Sequence, residues 1–315
     1  MTAVSPEIFY RHCYGEYAIA AVNVFNMEQV HALFSAAQES QSPVIVQVTP
    51  AARNYAHPLM MLAMVEAAAV IYPGAMYALH LDHGVEDHIE AALAGHYTSV
   101  MIDASADDFN TNIARTKSIV TKAHANNIVV EAELGVLSGR EDDHQVAESL
   151  SRYTVPQQAA EFVEKTSCDS LAVAVGTSHG AYKFSGGTAL QFDVLQKIQE
   201  RMPGYPLVLH GSSCIREADI LEINRYGGKM NADARGVSDA EVQQAIAYGI
   251  CKVNIATDLR LLWAKEYRKF FYEQPAEFDP IIPGKAYMTA YKSFIKERFE
   301  VLGSVGKTTS LKLSY

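Results

Sequence analysis

Eight times along this chain a short β-branched or apolar run gives way to a longer helical pattern, and few folds accommodate that rhythm. The runs are Ile19–Phe25, Val44–Thr49, Tyr77–Asp82, Ser99–Asp103, Val129–Gly135, Ser170–Gly176, Leu207–Gly211 and Cys251–Thr257. Between them lie helical segments such as Met27–Gln41, Val85–Ala94, Asp108–Asn127, Pro156–Ser167 and Phe192–Arg201, several opening with Pro or an acidic residue in the first turn. Strands joined by helices pair in parallel, and eight such units in about 260 residues fit a (β/α)8 TIM barrel better than an open doubly wound sheet. The barrel is expected over roughly 15–275, with an extra helical extension over 280–308. No Gly/Ser-rich or Pro-rich linker interrupts the chain, so residues 1–315 read as one domain.

Charge and cysteine usage narrow the function. The 36 acidic and 26 basic residues leave a net charge of −10, and no Lys/Arg block exists to neutralise a run of phosphates, which excludes a nucleic-acid partner. Any bound phosphate must then be small. Cys13, Cys168, Cys214 and Cys251 form no CxxC pair and no disulfide framework, which points to a reducing compartment. Met1–Ala20 lacks a basic segment followed by an apolar run, and the apolar stretch Met61–Ile71 is short and broken by Glu66. A cytoplasmic protein without a membrane partner is the expectation.

In a barrel of this kind the loops after the strands build the site. His83 ends the third run, His179 follows the sixth and His210 ends the seventh, so three imidazoles from different strands converge on one rim, a catalytic zinc arrangement. His80 lies two residues before Asp82 on the same strand face and is expected to be buried beside the site, not a ligand. Asp82, Asp103, Glu131 and Glu133 share the rim; ion pairing within the barrel is the competing role for the last three. Gly176–Ser178, His210–Ser213 and Asn254–Thr257 supply small residues with free N–H groups beside hydroxyls, the makings of a phosphate cradle.

The segments Tyr-Ala-Leu-His-Leu-Asp-His-Gly (77–84), Val-Glu-Ala-Glu-Leu-Gly (130–135), Gly-Thr-Ser-His-Gly-Ala-Tyr-Lys (176–183), Leu-His-Gly-Ser-Ser (209–213) and Lys-Val-Asn-Ile-Ala-Thr-Asp-Leu-Arg (252–260) closely resemble the class II, metal-dependent ketose-bisphosphate aldolases. The resemblance runs in order over nearly the whole chain. It implies Zn²⁺ held by His83, His179 and His210, with Asp82 moving the C4 hydroxyl proton of the bisphosphate. Glu141, on the loop after the fifth strand, matches the family's mobile acid. Thr49, Gly180, Gly211, Ser213, Asn254, Ala256, Thr257 and Arg260 match positions around the substrate and its phosphates, while Asp103 and Glu133 lie where an alternative metal position is found. The reaction implied is reversible retro-aldol cleavage of a ketose 1,6-bisphosphate to dihydroxyacetone phosphate and glyceraldehyde 3-phosphate. The resemblance also leaves room for a monovalent cation (Na⁺ or K⁺) and implies a homodimer or larger homo-oligomer.

Several positions depart from the family pattern. Ser138 replaces a usual Gly, Thr49 a usual Ser, and the stretch 101–108 lacks the Gly-Ser and following His common there. Ala256 matters most, because fructose-type members of this branch carry Asp and tagatose-type members Ala, yet Thr-Asp-Leu-Arg (257–260) looks fructose-type. One carboxylate hydrogen bond is worth about 1.5–3 kcal/mol of discrimination, roughly ten- to a hundred-fold. A fructose-bisphosphate aldolase leads, with a tagatose-bisphosphate aldolase as the alternative. A non-catalytic aldolase-like subunit and a barrel metallohydrolase complete the competing readings.

Overall fold

The computed structural model describes residues 3–137, 139–141, 144–146, 152–178, 190–232 and 236–313, and the side chains of 139–141, 144–146 and 313 lie outside that description. Eight strands close into a parallel barrel: β1 (Ile19–Asn23), β2 (Val44–Val48), β3 (Tyr77–Gly84), β4 (Ser99–Ile102), β5 (Val129–Leu134), β8 (Ser170–Val173), β9 (Leu207–Leu209) and β10 (Ile250–Ile255). Each coincides with one of the eight runs, and β10 closes on β1 with Ala21 beside Asn254. Two further strands among the described residues, β6 (Gly139–Glu141) and β7 (His144–Val146), pair antiparallel as a hairpin in the loop after β5.

Several helices begin where a local side chain or a proline meets the needs of their first turn. Asn26 caps α2 (Met27–Ser40) by accepting from the Gln29 amide, and Asp108 caps α6 (Phe109–His124) in the same way. Ser238 and Glu241 form a capping box on α10 (Asp239–Ile246), and Pro156 opens α7 (Pro156–Thr166). The expected helices over 85–94 and 192–201 are α5 (Glu86–Leu93) and α8 (Phe192–Arg201), and α9 (Glu217–Arg225) and α11 (Thr257–Glu273) follow β9 and β10.

Four helices appear that the alternation does not announce. α3 (Pro50–Ala56) and α4 (Pro58–Ile71) fill the β2–β3 connection. α4 is apolar on nearly every face, so it carries no stripe of period 3.6. α1 (Pro6–Cys13) is only two turns long, and the C-terminal extension divides into α12 (Ile281–Val301) and α13 (Lys307–Leu313) across a turn with Gly303 and Gly306 at positive φ. Among the described residues no single helix is long and apolar enough to cross a membrane; α3 and α4 meet that length only as a pair bent by 92°.

Every barrel strand is buried along its whole length, as expected when helices cover a parallel sheet. Alternation then sorts the side chains. Ala20, Val22, Val46, Leu79, Leu81, Val100, Val130 and Ile255 join the helices in the main core. Ile19, Ala21, Ile45, Ala78 and Cys251 instead pack with Phe9, Tyr10 and Cys13 of α1 and Leu311 of α13, an apolar floor beneath the strands. The next positions along those inward faces are polar, and they make the site.

Candidate active site

Above the floor the barrel is filled by charged and amide side chains rather than the branched aliphatic residues usual there. Going up the inward faces, Ile19 and Ala21 lead to Asn23, Ile45 to Gln47 and Ala78 to His80 and then Asp82, and on β10, whose pairing with β9 shifts register between Ile250 and Lys252, Lys252 leads to Asn254. All of the polar members are buried.

Period-two alternation places Asp82 and His83 on opposite faces of β3. The structure resolves that conflict with an irregularity: the pairing of β3 with β4 shifts register between Leu81 and Gly84, and His83 adopts φ +47°. A bulge of this kind re-aims a side chain, and a non-glycine residue held in the left-handed region carries stored strain. His83 is thereby swung inward, only 7% exposed, with Nδ1 3.2 Å from Asp103 Oδ2. Partial burial alone would raise the Asp103 carboxyl, but the His83 ring and the backbone and hydroxyl donors of Ser105 hold it well below the usual carboxylate range. An Nδ1–H donated to Asp103 leaves Nε2 as the lone pair His83 offers a metal.

His210 is fully buried directly after β9, and its ring centroid lies 4.9 Å from that of His83. Nε2 donates to Glu131 Oε1 at 2.9 Å, and Nδ1 lies 3.4 Å from Glu133 Oε2. Burial alone would lower the His210 pKa; the two carboxylates outweigh it and bring it up to about 9. Glu131 also accepts from Lys252 Nζ at 2.6 Å. Burial would raise its carboxyl, but Lys252 and the His210 hydrogen bond keep it well below the ordinary range. His80 is buried as expected, and desolvation, helped by Lys252, drives its pKa far below normal, so it is a neutral ring. Lys252 Nζ approaches its Nε2 at 3.5 Å, and its Nδ1 pairs with Ser99 Oγ at 2.7 Å.

Asp82, on the inward face of β3, is held from both sides. Asn23 Nδ2 donates to Oδ2 at 2.9 Å and Asn254 Nδ2 to Oδ1 at 3.3 Å, while Gln47 Nε2 fixes Asn23 through its Oδ1 at 3.0 Å. One ligand atom each from Asp82, His83 and His210 lie mutually within 4.8 Å, and a second such group is His83, Asp103 and Glu133. Two imidazoles with carboxylates are a donor set suited to Zn²⁺. Asn254 Oδ1, Gln47 Oε1 and Thr177 Oγ1 are buried acceptors with no hydrogen bond among the described residues, as expected of a pocket that receives a polar ligand.

The loops beyond the strands are pinned to backbone. Gly211 has φ +59°, and a Cβ there would lie 2.7 Å from the Ser178 carbonyl oxygen, so the two loops touch through bare main chain. Ser212 Oγ donates to the Asn254 carbonyl at 2.9 Å, and Ser213 accepts the Val237 amide at 3.1 Å. Asp258 takes the amides of Cys214 (3.2 Å) and Ile215 (3.1 Å), tying the loop after β9 to the first turn of α11. Ala256 occupies the N-cap of that helix without a side-chain cap, Thr257 opens it half-buried, and Arg260 stacks over the Phe25 ring at 5.0 Å. Thr49 spends its oxygen accepting the Ala52 amide at the start of α3, which leaves its hydroxyl proton to donate. His179 and Gly180 lie outside the described residues, as does the side chain of Glu141, whose backbone pairs with His144 in the β6–β7 hairpin.

Asn23 and Gln47 lie outside the quoted motifs, and Asp258 lies within one without a role of its own there. For the first two a signal existed: each is the one amide in an apolar strand, at the register that faces inward.

A barrel whose upper layer gathers imidazoles and carboxylates within reach of one another, ringed by loops of bare amides, has the build of a (β/α)8 enzyme with a candidate metal site. Relatedness makes that more specific. The family model described as fructose-bisphosphate aldolase class-II matches residues 6–307, and the chain belongs to that family of lyases. The fructose-bisphosphate aldolase of Giardia intestinalis is 40% identical over 304 residues, 95% of this chain and 92% of that protein. That of Thermus caldophilus is 40% identical over 295 residues, covering 92% and 94%. Among solved structures, the YdjI aldolase of Escherichia coli K12 superposes with a TM-score of 0.77 at 31% identity, over 98% of this chain and 100% of that one.

Proposed function

We propose that this chain is a Zn²⁺-dependent aldolase that reversibly cleaves fructose 1,6-bisphosphate into dihydroxyacetone phosphate and glyceraldehyde 3-phosphate. The observation that carries the reading is the buried convergence of Asp82, His83 and His210 at the top of the barrel. His83 and His210, with His179 as the third imidazole, would hold the metal. When bound, Zn²⁺ would supply a Lewis acid that stabilises the negative charge released as the C3–C4 bond breaks.

Asp82 takes the proton of the C4 hydroxyl, and returns it to the aldehyde oxygen in condensation; its two amide donors keep the carboxylate aimed at that oxygen. Glu141 exchanges the proton at C3, and its place on a hairpin beyond β5 suits a group that closes over the substrate and excludes water. Gly180, Gly211, Ser213, Asn254 and Thr257 receive the dihydroxyacetone phosphate end and its phosphate, Thr49 donates a hydroxyl, and Arg260 reaches the other phosphate. Asp103 and Glu133 offer a resting position for the metal beside His83. A monovalent cation would assist at the phosphate.

Removal of metal by a chelator should abolish cleavage and zinc add-back restore it, and Asp82→Ala should be inactive with zinc still bound. Cleavage that persists in the chelated protein would sink the proposal. The uncapped Ala256 favours a second reading, tagatose 1,6-bisphosphate as the preferred C4 epimer; steady-state kinetics on both sugars separates the two. We further infer a cytoplasmic homo-oligomer. Its four cysteines are free thiols, and the outer face of α4 leaves Leu59, Met60, Val70 and Ile71 exposed. Light scattering that returns a monomer mass would discard the oligomer.

A further inference from the structure

The mechanism above gives no task to Lys252, a lysine on the inner wall of the barrel with no exposed surface. An amine nucleophile would have to meet the substrate. Lys252 sits two residues below Asn254 on β10, beside Ile19 at the floor end of β1, with its Nζ under the Glu131 carboxylate. That places it a layer beneath Asp82 and His210.

We propose that Lys252 and Glu131 are a positioning pair: Lys252 holds Glu131, and Glu131 holds His210 so that its Nδ1 is presented to the metal. This rests on the reading of His210 as a ligand. Glu131 divides its two oxygens, Oε1 taking the His210 Nε2–H at 2.9 Å and Oε2 taking Lys252 Nζ at 2.6 Å. The carboxylate is 1% exposed. Without Lys252, Oε2 loses its donor and nothing fixes the plane of the carboxylate, so Glu131 is free to rotate away from His210. That rotation withdraws the acceptor that selects the His210 tautomer. Glu133, 3.4 Å from Nδ1, then competes for the nitrogen that the metal needs. His80 completes the arrangement, since a nitrogen that receives Lys252 at Nε2 must carry its proton on Nδ1, where Ser99 Oγ lies 2.7 Å away. Partners that orient a ligating histidine typically change metal affinity ten- to a hundred-fold when removed.

The test measures zinc affinity by competition with a chromophoric chelator, and the visible absorption of the Co²⁺-substituted protein, for wild type, Glu131→Gln, Lys252→Met, the double variant and Ile295→Ala. Ile295 is a fully buried residue of α12 outside the site, so its variant loses stability without touching the network. Each single network variant should bind zinc at least about tenfold more weakly with an altered Co²⁺ band, and the double variant should be no weaker than the poorer single one. Ile295→Ala should keep wild-type affinity. Binding within threefold of wild type in either single variant, or losses that multiply in the double, would overturn the pair. Should Lys252→Met not fold, Lys252→Gln takes its place, and Glu131→Gln still decides whether Glu131 orients His210. A wild type that binds no zinc, or a His210→Ala variant that binds it as tightly as wild type, would instead refute the ligand reading.

Discussion

Gly211→Ala probes how the site is joined to the fold. Two separate penalties fall on this residue. Its φ of +59° is a region that an L side chain enters at about 1 kcal/mol. Its new methyl would also lie 2.7, 2.9 and 3.0 Å from the O, C and N atoms of Ser178, all main chain with no flexible end to yield. Reaching ordinary contact needs a displacement of about 0.7 Å, which in a packed loop costs a further 1–3 kcal/mol or so. A total loss of about 2–4 kcal/mol is therefore expected by urea unfolding with an unchanged m-value. Gly204→Ala separates the two contributions, because Gly204 has φ +82° with nothing within 4 Å of its would-be Cβ and should lose only the backbone share. Since Gly211 follows His210 and Ser178 precedes His179, the displaced backbone should also weaken zinc binding and raise KM. If Gly211→Ala costs no more than Gly204→Ala and leaves KM alone, the close contact with Ser178 does not exist in solution and the reasoning fails.

Three further changes read other parts of the molecule. Ala256→Asp should donate a missing cap to α11, raising stability by about 1 kcal/mol, and should move the fructose-to-tagatose ratio of kcat/KM by roughly tenfold; a variant unchanged in both melting temperature and ratio would remove position 256 from specificity. Asp258→Ala strips the acceptor from two loop amides, so about 2–4 kcal/mol of stability and a KM increase larger than the kcat decrease are expected; unaltered KM would show that the loop needs no anchor. Asp239 accepts from Arg298 at 2.6 and 3.1 Å, and that guanidinium holds its carboxyl below the usual range. A carboxyl depressed in the folded protein stabilises it above the unfolded pKa and loses that contribution as pH falls through the folded value. Asp239→Asn should thus lower the urea midpoint near neutral pH, with the gap to wild type closing below about pH 4; a gap constant down to pH 3 would contradict the ion pair.

The barrel was legible because a parallel sheet covered on both faces leaves a coarse imprint: short apolar runs, evenly spaced, each followed by a longer helical pattern. That imprint fails where no contrast exists between faces, as in α4, whose 14 residues include one charge. It also fails where a helix is too short to show a period, as in α1 and α13. The motif residues Asp82, His83 and His210 stand where the sequence places them, at the ends of their runs. Asn23 and Gln47 escape a reading of the sequence because a single amide inside an apolar strand reads as a local exception until the register of the whole barrel shows that it faces Asp82.

Register also explains why the site needs a defect. Strict alternation lets each strand present every second residue inward, so adjacent residues can never both face the same centre. Asp82 and His83 do so only because β3 slips against β4 and His83 bears a left-handed backbone. The strain is sustained from the side: His83 is braced by Asp103, which is itself fastened by Ser105 at 2.7 Å, on a loop beyond β4. On the opposite side His210 is braced from below through Glu131. The two histidines thus draw their orientation from different depths of the barrel, one from the rim and one from the layer above the floor. A substitution at Ser105 should therefore disturb His83 more than His210, whereas one at Lys252 should disturb His210 more than His83, and the two histidines of the proposed metal site are braced from different strands.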